Sequence, residues 1–434
     1  MPSAFPAPMN LALPPGLPLR LCSAALEIPP LPPERLLALG AEPTAAFLAP
    51  DGESWVGMGA ARWLAGEAGD TAALWAGLAD LSPEAPPPSA LGALPFRRGE
   101  VADALWSGLM PGGVVLPERL VVQRGGRAWL RLTLPAQLAD TLHARLAEAA
   151  AEIAALAPAE AAPLPGFEDL DEGAAPGGFS RAVGEAVRRI RAGELVKVVL
   201  ARRAGIRFDR APSAAAVLRR LSQHQPAAVR YAWCRGGKAW LGATPETLLR
   251  LDGRLLRTEA LAGTRPEALA DELHADTKER HEHAVVVDAV RAAIAPWVQA
   301  LPPLRTPGLR RTRGLAHLHT PIEATLRADA DALALVRALH PTPAVCGLPT
   351  EAAAALLAAL EGEPRGLYAG PVLRLSADGS AHAVVALRGA VLAGRNAVLP
   401  AGAGIVDGSD GERELAETRA KQHSVLDAWR RVTA

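Results

Sequence analysis

Along this chain the spacing of apolar and polar residues predicts strands and tight turns, interrupted by helices. In "AAFLAPDGESWVGMGAARWLAG" two apolar stretches flank Asp51-Gly52, a dipeptide that favours a hairpin turn. "VVLPERLVVQRGGRAWLRLTL" predicts two strands around Gly125-Gly126. "RYAWCRGGKAWLGATPETLLRLDGRLLRTEALAG" turns at Gly236-Gly237 and again at Asp252-Gly253. Strands recur in "GLYAGPVLRLSADGSAHAVVALRGAVLAGRNAVLPAGAGIV". Helical periodicity predicts helices over "PAQLADTLHARLAEAAAEIAALA", "FSRAVGEAVRRIRAG", roughly 267–300 and roughly 410–431. The stretch "PAEAAPLPGFEDLDEGAAPGG", rich in Pro, Gly, Ala and acid, reads as a linker. Antiparallel hairpins interleaved with helices predict large antiparallel sheets with helices outside, not a doubly wound parallel sheet.

One residue disturbs this pattern. Lys197 falls inside the apolar run Leu195-Val196-Lys197-Val198-Val199-Leu200, which predicts a strand buried on at least one face. An unpaired buried charge costs several kcal/mol, so either a partner waits for the ammonium or the group is held neutral. A third reading is a lysine whose stem packs on the sheet while its head reaches water. Arg388 in "AVVALRGAVL" poses the same question.

Composition sharpens it. The chain of 434 residues has only four lysines, Lys197, Lys238, Lys278 and Lys421; every other basic side chain apart from histidine is arginine. Arginine cannot lose its proton near neutral pH, whereas lysine can if its site depresses its pKa. The length suggests two or three domain-sized units. The 46 basic and 46 acidic side chains cancel, with no basic block, so nucleic acid and anionic membrane are poor candidates for partners. Cys22, Cys234 and Cys346 are far apart, which argues against a disulfide framework and fits a reducing compartment. The start "MPSAFPAPMNLALPPGLPLRL" lacks a basic head and is broken by proline, unlike a signal peptide, and no run of about 20 apolar residues occurs. These features predict a soluble, cytoplasmic protein.

Two groups of carboxylates stand out. Glu279 and Glu282 share a face of the helix predicted over "DTKERHEHAVVVDAV"; Glu414, Glu417 and Lys421 share one in "DGERELAETRAKQH". Each group alone reads as a solvated face laced with ion pairs, including Lys278 with Glu282 and Glu417 with Lys421. Together they could supply two carboxylates to one Mg²⁺, water and an anionic substrate completing its shell. Gly402 and Gly404 in "PAGAGIVDGSD" permit close approach of backbone N–H groups to an anion, or mark a plain turn. Glu246 in "GATPETLL" follows a proline at a strand-to-turn junction, where a carboxyl could face a cleft. A magnesium-held site for a small polyanion is one reading of this set.

The segment from about 178 to 430 resembles the chorismate-utilising enzymes, and most closely the isochorismate synthases. The resemblance rests on "LVKVVLARR", "LGATPETLL", "TEALAGTR", "KERHEHAVVVDAV", "LAHLHT", "LHPTPAVCGLPT", "RGLYAGPV", "VALRGA", "AGAGIVDGSD" and "ERELAETRAK", in that order. Residues 1–165 match only loosely, as an N-terminal portion of the fold; the resemblance implies that residues 166–434 are the chorismate-binding catalytic region. The resemblance implies an α/β fold of the α+β type, with two large antiparallel sheets stacked face to face, helices outside and the active site in the cleft between halves. It also implies one intertwined unit, a monomer or weak dimer, in place of two or three domains.

The resemblance further implies roles. Lys197 matches the general base that activates water for attack at C2 of chorismate; anthranilate and aminodeoxychorismate synthases typically carry glutamine there. Glu246 matches the general acid that protonates the departing C4 hydroxyl. Glu282 and Glu417 match magnesium carboxylates, with Glu279 and Glu414 as water-mediated partners. Arg388 and Tyr368 match residues that hold the enolpyruvyl carboxylate, aided by backbone near Gly402 and Gly404. Lys421 matches a lysine near the metal-bound carboxylate. Gly263, Thr264 and His317 match cleft-lining positions, a core role for His317 being the alternative. Ala344 stands where salicylate synthases usually have threonine. "ATPETL", "GPVLRL" and "ELAET" depart from the common pattern at Thr244, Thr247, Leu373, Leu415 and Ala416, positions that bear on packing. The implied activity is Mg²⁺-dependent isomerisation of chorismate to isochorismate for menaquinone biosynthesis; a salicylate synthase and a siderophore-pathway isochorismate synthase are the rivals.

Overall fold

The computed structural model describes residues 20–66, 69–156, 164–168, 176–312 and 315–430. Most of the predicted linker and the first 19 residues lie outside it, as do the side chains of Thr264 and Lys278. In chain order the strands are β1 (Leu21–Ile28), β2 (Thr44–Leu48), β3 (Ser54–Met58), β4 (Arg62–Ala65), β5 (Leu78–Asp80), β6 (Ser89–Ala93), β7 (Gly113–Leu116), β8 (Arg119–Arg124), β9 (Arg127–Pro135), β10 (Lys197–Arg207), β11 (Val229–Arg235), β12 (Lys238–Thr244), β13 (Thr247–Asp252), β14 (Leu255–Pro266), β15 (Gly308–Thr312), β16 (Leu315–Thr325), β17 (Gly347–Leu348), β18 (Pro371–Ser376), β19 (Ala381–Val385), β20 (Gly389–Ala393) and β21 (Asn396–Ile405). The helices are α1 (Thr71–Trp75), α2 (Leu142–Ala154), α3 (Pro176–Arg191), α4 (Ala214–His224), α5 (Glu272–Ala275), α6 (Thr277–Ile294), α7 (Ala332–Leu339), α8 (Thr350–Leu360) and α9 (Gly411–Arg430).

Among the described residues the strands form two sheets. The larger runs β17-β10-β21-β20-β12-β11-β2-β3-β8-β9-β1-β5; the smaller runs β15-β16-β14-β13-β19-β18-β6-β7-β4. Pairing is antiparallel throughout except between β1 and β5. This is the α+β architecture expected. In each sheet the strands from before residue 165 form one block joined at a single seam to those from after it: β2 pairs with β11, and β6 with β18.

Two cores follow from the alternation of side chains on each strand. Between the sheets lie Phe47, Trp106, Trp233, Trp240, Leu249 and Leu373, all at most 1% exposed. The second core, with Leu130, Leu241, Leu221, Leu426 and Trp429, joins the outer face of the larger sheet to its helices. Trp240 packs edge-on against Trp106 and Tyr368, with ring centroids 5.4 and 6.5 Å away. These three rings join the core between the sheets to Tyr368.

The hairpin turns fall where the dipeptides place them, between β2 and β3, β8 and β9, β11 and β12, and β13 and β14. Two expectations are corrected. Lys197 opens its strand rather than standing in its middle; Leu195 is buried before it, but Val196 is 48% exposed. The helix expected over 267–300 is a 3₁₀ turn, the short α5 and then α6. The Asp276 side chain accepts from the Glu279 N–H at 3.1 Å, capping a fresh N-terminus, and Pro296 follows the last turn. The cap puts Glu279 and Glu282 in the opening turns of α6. Among the described residues no helix is long and apolar enough to cross a membrane.

Candidate active site

Lys197 has a partner. Its Nζ donates to Glu282 Oε1 at 2.8 Å, with the two side chains 12% and 14% exposed. The pair joins β10 of the larger sheet to α6, which packs on β14 of the smaller one. It therefore spans the cleft between the sheets. Gly404 on β21 makes room for the lysine: a Cβ there would stand 3.3 Å from Lys197 Cε. Two residues earlier on β21, the Gly402 carbonyl accepts from Lys421 Nζ at 2.7 Å. Lys421 also pairs with Glu417 at 2.6 Å on α9. Gly402 and Gly404, two residues apart on β21, thus each adjoin one of the two lysine–glutamate pairs.

Glu246 sits in the corner between β12 and β13. Its N–H donates to Thr244 Oγ1 at 3.2 Å and its carbonyl accepts from Val385 at 3.0 Å, which fixes the backbone of the turn. Its carboxyl lines a pocket with Leu248, Glu259, Leu261, Thr342 and Ala344. Burial and the facing Glu259 carboxylate push the Glu246 carboxyl up to about 7, against the pull of Lys197, Lys421 and Arg388. The Ala344 segment is held from behind: the Arg365 guanidinium donates to Val345 O at 2.7 Å and to Glu361 Oε2 at 2.9 Å, stacked on Phe96 at 4.2 Å.

Arg388 lies on the strand junction before β20 with φ +51°, a left-handed conformation unusual for arginine. It donates to Ser424 Oγ on α9 at 3.0 Å. Burial lowers its pKa, while Tyr368, Glu417 and Glu246 act the other way. Burial pushes the Tyr368 phenol up to about 12, so it is a neutral donor at physiological pH; a Cβ on Gly402 would stand 3.3 Å from its oxygen. Burial also lowers His317, which a hydrogen bond with the Gly263 backbone and the nearby Lys421, Arg388 and Arg310 place at the same cleft. Gly263 forms a bulge in β14 at φ +70°, and a Cβ there would come within 2.9 Å of Glu279 Oε2. The Thr264 backbone pairs with His317; its side chain is outside the described residues.

The structure therefore gathers Lys197, Glu282, Gly404, Gly402, Lys421, Glu417, Arg388 and Tyr368 at one cleft, with Glu246 and Ala344 in the adjoining pocket. It does not draw the four acids into one cluster: among the described residues no three His, Cys, Asp or Glu side chains converge to hold a cation. The donor set nonetheless fits Mg²⁺, a hard ion that takes one or two carboxylates and keeps waters or substrate oxygens for the rest. Burial and the adjacent Glu417 carboxylate raise Glu414, the strain of crowded negative charge that a cation relieves. Glu259, His319, Arg310 and Thr342 were missed in the sequence. The Glu259 carboxylate is bound by Arg310 Nη1 at 2.5 Å and His319 Nε2 at 2.9 Å. A lone acid in the apolar alternation of β14 was the one signal available for it.

A family model described as chorismate binding enzyme matches residues 22–430. The chain belongs to the chorismate binding enzyme family. It is similar to the salicylate biosynthesis isochorismate synthase of Pseudomonas aeruginosa, 38% identical over 255 residues, which are 57% of this chain and 53% of that protein. It is 41% identical over 254 residues to the putative isochorismate synthase MenF of Mycobacterium tuberculosis strain H37Rv, covering 54% of this chain and 68% of that one. The matched region thus spans about half the length of the first relative and two thirds of the second. Beyond these, the solved structure of MenF, the menaquinone-specific isochorismate synthase from Escherichia coli, superposes with a TM-score of 0.81 at 28% identity, covering 96% of each chain. In this family fold the residues before 165 are part of both sheets rather than an appendage.

Proposed function

We propose that this protein is an isochorismate synthase, converting chorismate to isochorismate by attack of water at C2 and loss of the C4 hydroxyl. The observation that carries the reading is the pairing, in one cleft, of a lysine on β10 with a carboxyl that titrates near neutrality. Lys197, as the base, takes a proton from the water as its oxygen bonds to C2. The ring double bonds shift, and the C4 hydroxyl departs as water with the proton of Glu246. One water enters and one leaves, so the net change is an isomerisation. A carboxyl with a pKa of about 7 keeps its proton on a large fraction of molecules at neutral pH and releases it readily.

Arg388 and the neutral Tyr368 hydroxyl would bind the enolpyruvyl carboxylate, the planar guanidinium matching its two oxygens. Lys421 and His317, with the bulge at Gly263 and Thr264, would line the ring. Glu282 and Glu417 would hold Mg²⁺, with Glu279 and Glu414 behind them. The bound ion supplies fixed positive charge for the ring carboxylate. In the arrangement described here Lys197 Nζ donates to Glu282, so Lys197 reaches the water only when Glu282 interacts elsewhere.

Lys197, in place of the glutamine typical of anthranilate synthases, supports water rather than ammonia as nucleophile. Ala344 in the pocket wall supports release of isochorismate over elimination of pyruvate to salicylate. The end-to-end likeness to the menaquinone-specific enzyme supports the menaquinone pathway over a siderophore pathway. Incubation with chorismate and Mg²⁺, followed by chromatography, tests the reading. Isochorismate should accumulate; salicylate with pyruvate would establish the rival, and unchanged chorismate would reduce the protein to a binder.

A further inference from the structure

We propose that Glu259 is a positioning residue for this reaction: a fixed negative charge, held by Arg310 and His319, in the wall of the pocket that the acid Glu246 also lines. The inference rests on the reading of Glu246 as the acid.

Three neighbouring strands build the device. On β14, Glu259 and Leu261 share a face and line the pocket that Glu246 enters. On β16, His319 lies opposite Leu261, and on the edge strand β15 Arg310 lies opposite His317. Each Glu259 oxygen therefore has its own donor, Arg310 on Oε1 at 2.5 Å and His319 on Oε2 at 2.9 Å, with the carboxylate side chain only 14% exposed. Burial alone would push Glu259 up; the His319 hydrogen bond and the Arg310 charge outweigh it and hold the carboxyl below its ordinary range. Glu259 therefore stays charged at the pH where Glu246 must stay protonated.

The need for such a charge is visible in what else faces Glu246. Lys197 comes from β10, Lys421 from α9 and Arg388 from the start of β20, and each favours the carboxylate form of Glu246. The Tyr368 phenol, also nearby, is neutral. Three cations suit a site that binds a dianion, yet they act against an acid placed among them. Glu259 opposes them from the other wall. An apolar side chain on the same strand face would satisfy packing without the desolvation cost of a buried carboxylate.

The test is titration of Glu246 in the full-length protein carrying ¹³C-carboxyl glutamate, its resonance identified by its loss in Glu246→Gln. Glu259→Gln should lower the Glu246 midpoint by about one pH unit. Arg310→Gln should raise it, because the Glu259 charge is then less compensated. The alkaline limb of kcat/KM against pH should move in the same two directions, which loss of packing alone would not produce. A Glu246 midpoint unmoved in Glu259→Gln overturns the proposal; should that variant not fold, an unmoved or lowered midpoint in Arg310→Gln does so. If the midpoints move and the rate profiles do not, the charge device stands and the reading of Glu246 as the acid falls.

Discussion

Replacing Glu246 by glutamine should make the protein less active and, at alkaline pH, more stable. The Glu246 carboxyl is raised from its ordinary 4.5 to about 7 by burial and by Glu259. Between those values the folded protein binds the proton more tightly than the unfolded chain does. Stability is therefore full below about pH 4.5 and falls as pH rises through 7, where the buried carboxylate must form. A shift of about 2.5 units corresponds to roughly 3 kcal/mol at most, of which roughly 2 kcal/mol or more develops between pH 5 and pH 8.5. Glutamine has the same shape and does not titrate. Urea unfolding of both proteins at the two pH values should therefore show the variant gaining on the wild type by that amount from pH 5 to pH 8.5. Turnover should fall by about 10²–10⁴-fold, the usual contribution of a general acid. A stability difference that is the same at both pH values would refute the argument, because it would mean that Glu246 ionises as easily in the cleft as in water.

Other outcomes follow from the same geometry. Lys197→Arg should preserve an ion pair to Glu282 and the fold, yet lose about 10²–10⁴-fold in kcat because guanidinium does not deprotonate; near-normal turnover would sink the base assignment. Glu417→Gln should weaken Mg²⁺ binding by at least about tenfold in calorimetry, and activity that survives excess EDTA in the wild type would remove the metal from the scheme. Ala344→Thr should release some pyruvate and salicylate from chorismate, read by a lactate-dehydrogenase-coupled assay and by salicylate fluorescence, because a branched side chain beside Glu246 restricts the enolpyruvyl arm. Gly263→Ala should cost about 1–2 kcal/mol in thermal or urea unfolding, since a Cβ at φ +70° is strained and would press on Glu279.

Local patterns alone determined much of this protein. Asp51-Gly52, Gly125-Gly126, Gly236-Gly237 and Asp252-Gly253 each turn a hairpin because the preferred backbone angles of those residues are set within the dipeptide. The alternation along the strands marks both faces of the sheets for burial, and Lys197, Glu246 and Glu282 were legible as polar residues in places where such residues need a reason. What each one touches was not legible. The Lys197–Glu282 pair closes a separation of 85 residues, and the Glu259 carboxylate gathers Arg310 and His319 from 51 and 60 residues away. Such contacts depend on strand order in space, which alternating patterns do not encode because many orders bury the same faces. The break before α6 was likewise hidden, because a cap by Asp276 competes with continued helix on equal local terms and the packing of α6 on β14 decides between them. The protonation of Glu246 belongs wholly to the tertiary structure: it is the balance of burial and one carboxylate against three cations, drawn from four separate parts of the chain into a cleft that screens them less than water does.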